Sequence, residues 1–255
     1  MHLNEKYAMP KGIKLHVWGD YALFTRPEMK VERVSYEFMT PSAARNILTA
    51  IYWKPQIAWV VDRIRILKPI AFASVRRNEV ASKAVTPSAA VMRGEEEAVL
   101  GLCPEDDRQQ RASLVLRDVG YVIEAHFDVV ERTLEAGGPE MPEEVCAAKH
   151  ISIFNRRAAS GQAFHQPYLG CREFPAHFAL IGDGDAVPPC ELPAEQRNKD
   201  FGWMFHDFVY REDKKGKIIE SNKGRRLTAE PRFFHAVAKD GVVDVPALDG
   251  KEVVA

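Results

Sequence analysis

The chain has 255 residues, 46% of them hydrophobic and 28% charged, with 35 basic against 36 acidic side chains. This is the composition of a globular chain with enough apolar mass for a core, and it excludes disordered, collagen-like and coiled-coil classes. Cys103, Cys146, Cys171 and Cys190 form no Cys-x-x-Cys pair and have no histidine at zinc-finger spacing, so no structural metal is expected. The N-terminal residues carry charges and no apolar signal core, and the longest apolar runs fall far short of a membrane span. A cytoplasmic protein with reduced thiols is the expectation.

In chain order, Ile13, Leu15 and Val17 alternate with Lys14 and His16, the pattern of a strand with one face buried, and Gly19-Asp20 breaks it. Thr40-Pro41-Ser42 reads as a helix start, a Thr able to cap followed by Pro at the first helical position. In the helix that ends before Pro55, Ala43, Ala44, Ile47, Leu48, Ala50 and Ile51 fill one apolar arc, with Arg45 and Tyr52 together on its flank. Residues 57–67 and 70–75 read as an antiparallel pair of strands. Residues 78–112 lose periodicity and look like an insertion with one short helix.

Tyr121–Val130 is a further strand, and a second helix is expected from about His150 to Ser160, stopped by Gly161. Strand, helix, strand, strand, helix, strand is the ferredoxin-like (RRM-related) order, an α+β fold. The last third predicts strands at 174–181 and 201–210 and a hairpin over 232–245 turning at Asp240-Gly241, an additional C-terminal antiparallel sheet. The expected division is a first domain over 1–180 and a small β-rich subdomain over 181–255.

Charge is uneven along this neutral chain. Residues 146–172 hold Lys149, Arg156, Arg157 and Arg172 and no carboxylate, and residues 211–226 hold seven bases against three acids. Residues 94–107 hold six acids and no base. Such asymmetry can build a polyanion-binding face, or can be no more than solvated loops and helix faces. No phosphate-binding glycine loop, nucleophile elbow or His-Glu metal helix is present, which argues against a small-molecule enzyme and for no cofactor.

The segments Trp18-Gly-Asp-Tyr-Ala-Leu-Phe-Thr-Arg26-Pro27, Ser42-Ala-Ala-Arg45, Ile51-Tyr52-Trp53-Lys54-Pro55, Lys149-His150-Ile-Ser-Ile153 and Tyr168-Leu-Gly-Cys-Arg172-Glu173 follow one another in order. Together they resemble the CRISPR-associated precursor-crRNA endoribonucleases of subtype I-C (Dvulg), within the RAMP superfamily. The resemblance implies a ferredoxin-like RAMP core that cuts CRISPR repeat RNA without metal and stays with the crRNA among the other subunits of a Cascade-type complex. It also implies that Tyr52, Lys149 and His150 carry the chemistry. By residue pattern alone Tyr52 reads as a core-edge tyrosine and Lys149-His150 as a solvated helix terminus.

Metal-free RNA cleavage needs a group to take the 2′-OH proton, one to protonate the 5′-oxygen and a cation for the phosphorane. His150 suits the proton transfers, Lys149 the charge, and Tyr52 the positioning or activation of the 2′-OH, with Lys149 as the neighbouring cation that would lower its pKa. A helix start at His150 would offer free amides to the scissile phosphate and depress the imidazole pKa. Arg26, Arg45, Arg156, Arg157 and Arg172 are candidate phosphate contacts, and Trp18 a candidate for stacking on a base. The alternative is a non-catalytic subunit that grips the crRNA 5′ handle.

Overall fold

The computed structural model describes residues 12–29, 31–83, 85–98, 101–132, 138–213, 218–219 and 226–255. The elements in order are β1 (Ile13–Ala22), β2 (Arg33–Val34), α1 (Pro41–Ile51), β3 (Ile57–Ile66), β4 (Phe72–Val80), α2 (Ala89–Met92), β5 (Arg108–Val129) and α3 (Glu143–Ala159). They continue with β6 (His177–Ile181), α4 (Ala194–Arg197), β7 (Asp200–Glu212), β8 (Ile218–Ile219), β9 (Arg226–Lys239), β10 (Val242–Asp244) and β11 (Val253–Val254). The molecule mixes helix and strand and is dominated by antiparallel sheet, with the central order β3-β5-β1-β6.

α1 forms as its ends dictate. Thr40 is extended and its hydroxyl accepts from the Ala43 amide, while Pro41 occupies the first turn, where no amide is needed. Ala43, Ala44, Ile47, Leu48, Ala50 and Ile51 bury the arc that periodicity predicts. At Tyr52 the backbone turns extended (φ −152°, ψ 122°), its amide donating to the Leu48 carbonyl, and the helix stops.

β5 spans 22 residues and organises the sheet. Its first half pairs with β4 (Val75↔Ser113, Arg77↔Arg111) and, in parallel, with β2. Its second half pairs with β3 (Ile57↔Val129, Ile64↔Ile123), and β1 runs along the middle. The antiparallel pair expected of residues 57–67 and 70–75 is therefore not formed: the two strands do not pair with each other, and each takes a different half of β5. The irregular stretch 78–112 shrinks correspondingly, because Val80 and Arg108 are already ladder partners. Asp118, at φ +49°, is a local interruption of the extended backbone, and the β1 ladder continues on both sides of it.

α3 also departs from expectation. It begins at Glu143, not near His150, with Glu143 and Glu144 in its first turn and Arg156 and Arg157 in its last, both favourable to the helix dipole. Gly161, at φ +64°, ends it as predicted. Its buried stripe is Cys146, Ala147, His150, Phe154 and Ala158, mostly four residues apart, so His150 faces the core and Lys149 lies about 100° round the helix on its flank.

β7 pairs with β9 along most of their length, and β9 also carries β8 and β11. Asp240 (φ +49°) and Gly241 (φ +76°) make the tight turn from β9 to β10. β10 then joins the edge of β3, so the C-terminal strands continue the central sheet.

Candidate active site

The C-terminal end of α1 and the middle of α3 meet over the inner face of the sheet. Tyr52 Oη lies 2.8 Å from His150 Nδ1, across 98 positions of sequence. Both residues are buried, Tyr52 at 1% exposure and His150 at 2%. The tyrosine is fixed at every other point too: Trp59 Nε1 donates to its carbonyl at 2.8 Å, and the Arg157 guanidinium stands over its ring at 5.2 Å. Arg157 is held there by a 3.2 Å hydrogen bond from its Nη1 to the Ile51 carbonyl. Phe127, from β5, meets the imidazole edge-on at 6.2 Å, and Trp59 packs at 4.9 Å on Phe154 of α3.

Electrostatics follow from that burial. Burial pushes the Tyr52 phenol up, with Arg157 pulling the other way. Burial also lowers the His150 imidazole, with Lys149 and then Lys54 adding to the effect. Two expectations are corrected here. The cation beside the phenol is Arg157 rather than Lys149, and the histidine is depressed by desolvation and two lysines rather than by a helix N-terminus, which is nearly two turns away at Glu143.

Tyr52 therefore stays protonated and His150 neutral near pH 7. One proton lies in the Oη···Nδ1 contact, and Nε2 remains as a buried ring nitrogen with no partner among the described residues. An unpaired buried polar atom costs free energy, and this one lies within the electrostatic reach of Lys149 and Lys54.

The other sequence candidates scatter. Arg156 is exposed on the last turn of α3, and Arg172 is exposed in the loop before β6. Arg26 stacks on the Tyr36 ring at 4.7 Å and reaches Glu28 at 3.9 Å. Arg45 places its fork on Asp207 of β7 at 2.6 and 3.1 Å, tying α1 to the second strand array. Trp18 stands on the opposite face of the sheet from Phe127, stacked between His16 (4.5 Å) and His177 (5.8 Å). Lys214, Lys215, Lys217, Lys223 and Arg225, the body of the second basic stretch, lie outside the described residues.

Sequence reasoning passed over three residues around the pair. Trp53 is 57% exposed and Lys54 is exposed, both immediately after Tyr52. Phe164 is 87% exposed, and its amide donates to the Ala50 carbonyl at 2.8 Å, which holds it beside the end of α1. The available signal was the aromatic residue on each side of a helix stop. A cleft of about 640 Å³ beside β3 and β7 is not part of this site: Asp62, Asp128, Asp207 and Asp249 line it against one arginine, Arg45, a poor surface for a phosphodiester. Among the described residues no group of three His, Cys, Asp or Glu side chains could hold a metal ion, and no helix is long and apolar enough to cross a membrane.

Residues 12–246 match the family described as CRISPR-associated protein (Cas_Cas5). The chain belongs to the Cas5d family of CRISPR-associated proteins. It is 51% identical over 246 residues to a CRISPR pre-crRNA endoribonuclease Cas5d of Mannheimia succiniciproducens, covering 96% of this chain and 99% of the relative. A second Cas5d pre-crRNA endoribonuclease, from Thermus thermophilus, is 40% identical over 248 residues, 94% of each chain. A crystal structure of a CRISPR-associated protein shares the fold at TM-score 0.59 and 21% identity, covering 96% of this chain and 97% of that one.

Proposed function

We propose that this Cas5d chain is a pre-crRNA endoribonuclease that cuts CRISPR repeat RNA by 2′-OH attack, without metal, and keeps the crRNA 5′ handle within a type I-C Cascade-type complex. The observation that carries the reading is the buried Tyr52–His150 pair beside Lys149, in a chain half identical to a relative that bears that activity in its name. The core is read as ferredoxin-like, with the C-terminal strands as a subdomain from about residue 181. The order β6-β1-β5-β3, antiparallel throughout, with α1 after its first strand and α3 after its third, supports the ferredoxin-like core, and the subdomain is read as the β7–β9 array that joins this core through β10 on β3.

In this reading Tyr52 and His150 act as one unit. Tyr52 holds Nδ1 and sets the ring orientation, so proton exchange with the RNA occurs at Nε2 or through the phenol. The 2′-oxygen bonds to phosphorus, the bond from phosphorus to the 5′-oxygen breaks, and the proton lost by the 2′-OH is balanced by one gained on the 5′-oxygen. The products end in a 2′,3′-cyclic phosphate and a 5′-OH. Lys149 opposes the charge that grows on the phosphorane oxygens. Trp53 and Phe164 offer exposed aromatic faces to unpaired bases on either side of the cut. Because Nε2 is covered in the free protein, RNA must shift that cover before cutting, so binding precedes assembly of the site.

The test is incubation with the cognate repeat hairpin in EDTA, and with a repeat carrying 2′-deoxyribose just 5′ of the cut. Cleavage should persist in EDTA and vanish with the deoxy substitution. Loss on chelation restored by magnesium, or cutting of the deoxy RNA at the same bond and the normal rate, rejects the mechanism.

A further inference from the structure

Away from the Tyr52–His150 pair, three arginines converge on one face of the ribbon formed by β4 and the first half of β5. Arg77 and Arg111 are directly opposed in the ladder, and Arg33 of β2 joins them beside Ser113. All three point at one carboxylate. Glu79 Oε1 lies 3.5 Å from Arg33 Nη2 and 3.3 Å from Arg77 Nη2, and Oε2 lies 3.1 Å from Arg111 Nη1. A second carboxylate, the exposed Glu173, touches Arg77 alone, at 2.8 Å.

This is more guanidinium than the site can satisfy. Three positive charges meet two negative ones; Arg77 also donates to Ser113 Oγ at 3.2 Å and Arg111 to Gln109 Oε1 at 3.0 Å, but Nε of each is buried without a hydrogen-bond partner among the described residues. A purely structural cluster gains nothing by keeping two charged donors dry and unmet. A phosphate, with several strong acceptor oxygens, is the group such forks match best.

The side that holds Glu173 is also the one built to present it. Gly170, at φ +84°, lies so close to β1 that a Cβ there would fall 2.1 Å from the Leu23 carbonyl oxygen, so only glycine fits. Leu23 donates its amide to the Leu169 carbonyl at 3.0 Å, Leu169 donates to the Phe174 carbonyl, and Phe174 donates to the Cys171 carbonyl. The loop pinned in this way carries Cys171, exposed Arg172 and Glu173 to the ribbon. Burial and then Glu173 push the Cys171 thiol up while Arg33 and Arg77 pull it down, which sets that thiol against the cluster.

We infer that Arg33, Arg77 and Arg111 form a backbone-phosphate site for the bound RNA, in which Glu173 is a placeholder that the phosphate displaces. The inference rests on the RNA-cleaving reading above. It adds a contact point that neither charge runs nor motifs reveal, because the three arginines are 44 and 34 positions apart and come together only through β5 pairing.

The experiment measures affinity for a non-cleavable repeat RNA, deoxy-substituted at the cut, across a salt series. Arg111→Gln should weaken binding about tenfold and reduce the slope of log K against log salt by about 0.7, one phosphate contact on a single strand. Glu173→Gln should do the reverse and tighten binding by about two- to fivefold, since it removes the competitor. A clamp that merely fastens the loop to the ribbon would instead be loosened by Glu173→Gln, with binding unchanged or weaker. Thermal melting checks that Arg111→Gln is folded, and Glu173 is exposed enough for its variant to read binding in either case.

Wild-type slope in Arg111→Gln, or no tightening in Glu173→Gln, overturns the proposal. So does an effect on single-stranded DNA of the same sequence with none on RNA. If the wild-type chain neither binds nor cuts repeat RNA, it is the functional reading that falls.

Discussion

Replacing Tyr52 by phenylalanine keeps the ring in the core and deletes one oxygen. His150, 2% exposed, then has no partner on either nitrogen among the described residues, because Nδ1 loses Oη and Nε2 had none there. A buried polar group left unmet costs about 1–3 kcal/mol. Phenylalanine removes the phenol's own desolvation cost, so the lower half of that range applies, about 1–2 kcal/mol. In a chain of this length each kcal/mol lowers the melting temperature by about 2–4 °C, giving a drop of about 2–8 °C.

The effect on chemistry should be far larger. If the phenol orients His150 and touches the 2′-OH, single-turnover cleavage falls on the order of a hundredfold to ten-thousandfold at a temperature where the variant is fully folded. Thermal melting and a single-turnover cleavage assay on the same preparation separate the two effects. A variant that melts lower and still cuts at the wild-type rate would make the Oη···Nδ1 bond a core hydrogen bond and nothing more.

Lys149→Ala should slow single-turnover cleavage about a hundredfold or more while weakening RNA binding much less, since charge on the phosphorane grows only in the transition state; equal losses in both measurements would make Lys149 a binding contact. Stability should fall as pH drops from 7.5 to 5.5. Burial lowers His16, His150 and His206 in the folded state, so below about pH 6.5 the unfolded chain binds more protons and folding weakens. His126 opposes this: its hydrogen bond to Asp62 raises it, giving stability that is present below its unfolded pKa and lost as pH rises through the folded one. His126→Asn should therefore steepen the acid loss seen by thermal melting, and a flatter profile would refute the assignment. Arg45→Ala leaves the nearly buried Asp207 carboxylate without its fork and should destabilise by about 1–3 kcal/mol, with part recovered on adding Asp207→Asn; an unchanged melting temperature would return Arg45 to the pool of free RNA contacts.

The start and buried arc of α1 were legible because their information is local, a capping hydroxyl, a proline and an apolar periodicity, while its end at Ile51 was bounded only by Pro55. β5 was not legible. Charged residues from Arg108 to Asp118 argue against a strand by composition, and they become one only because β4, β2 and β1 supply ladder partners. The start of α3 was missed for the opposite reason. Glu143-Glu144 after Pro142 is a helix-start signal, but Val145 to Lys149 has too weak an apolar stripe to extend the periodicity back from Phe154. The pairing of Tyr52 with His150 is invisible to any local pattern, and only the resemblance joined them. The resemblance could not say that Arg157 covers the phenol or that the pair is buried.

The two candidate sites sit on one strand. Arg111 lies near the start of β5, and Phe127, against the His150 ring, lies near its end. At roughly 3.3 Å per residue the contour between them is on the order of 50 Å. A stacked strand, advancing about 3.4 Å per nucleotide, needs up to about fifteen nucleotides to reach from one to the other. An RNA trimmed to a few nucleotides on each side of the cut can occupy the Tyr52–His150 site but not the arginine cluster. Its affinity should therefore be indifferent to Arg111→Gln, whereas the full repeat loses the increment. Parallel binding titrations of the two RNAs against both proteins measure the difference. If the short RNA loses affinity as much as the full repeat, the cluster lies beside the cut or acts through the fold, and the separation of grip from chemistry along β5 is wrong.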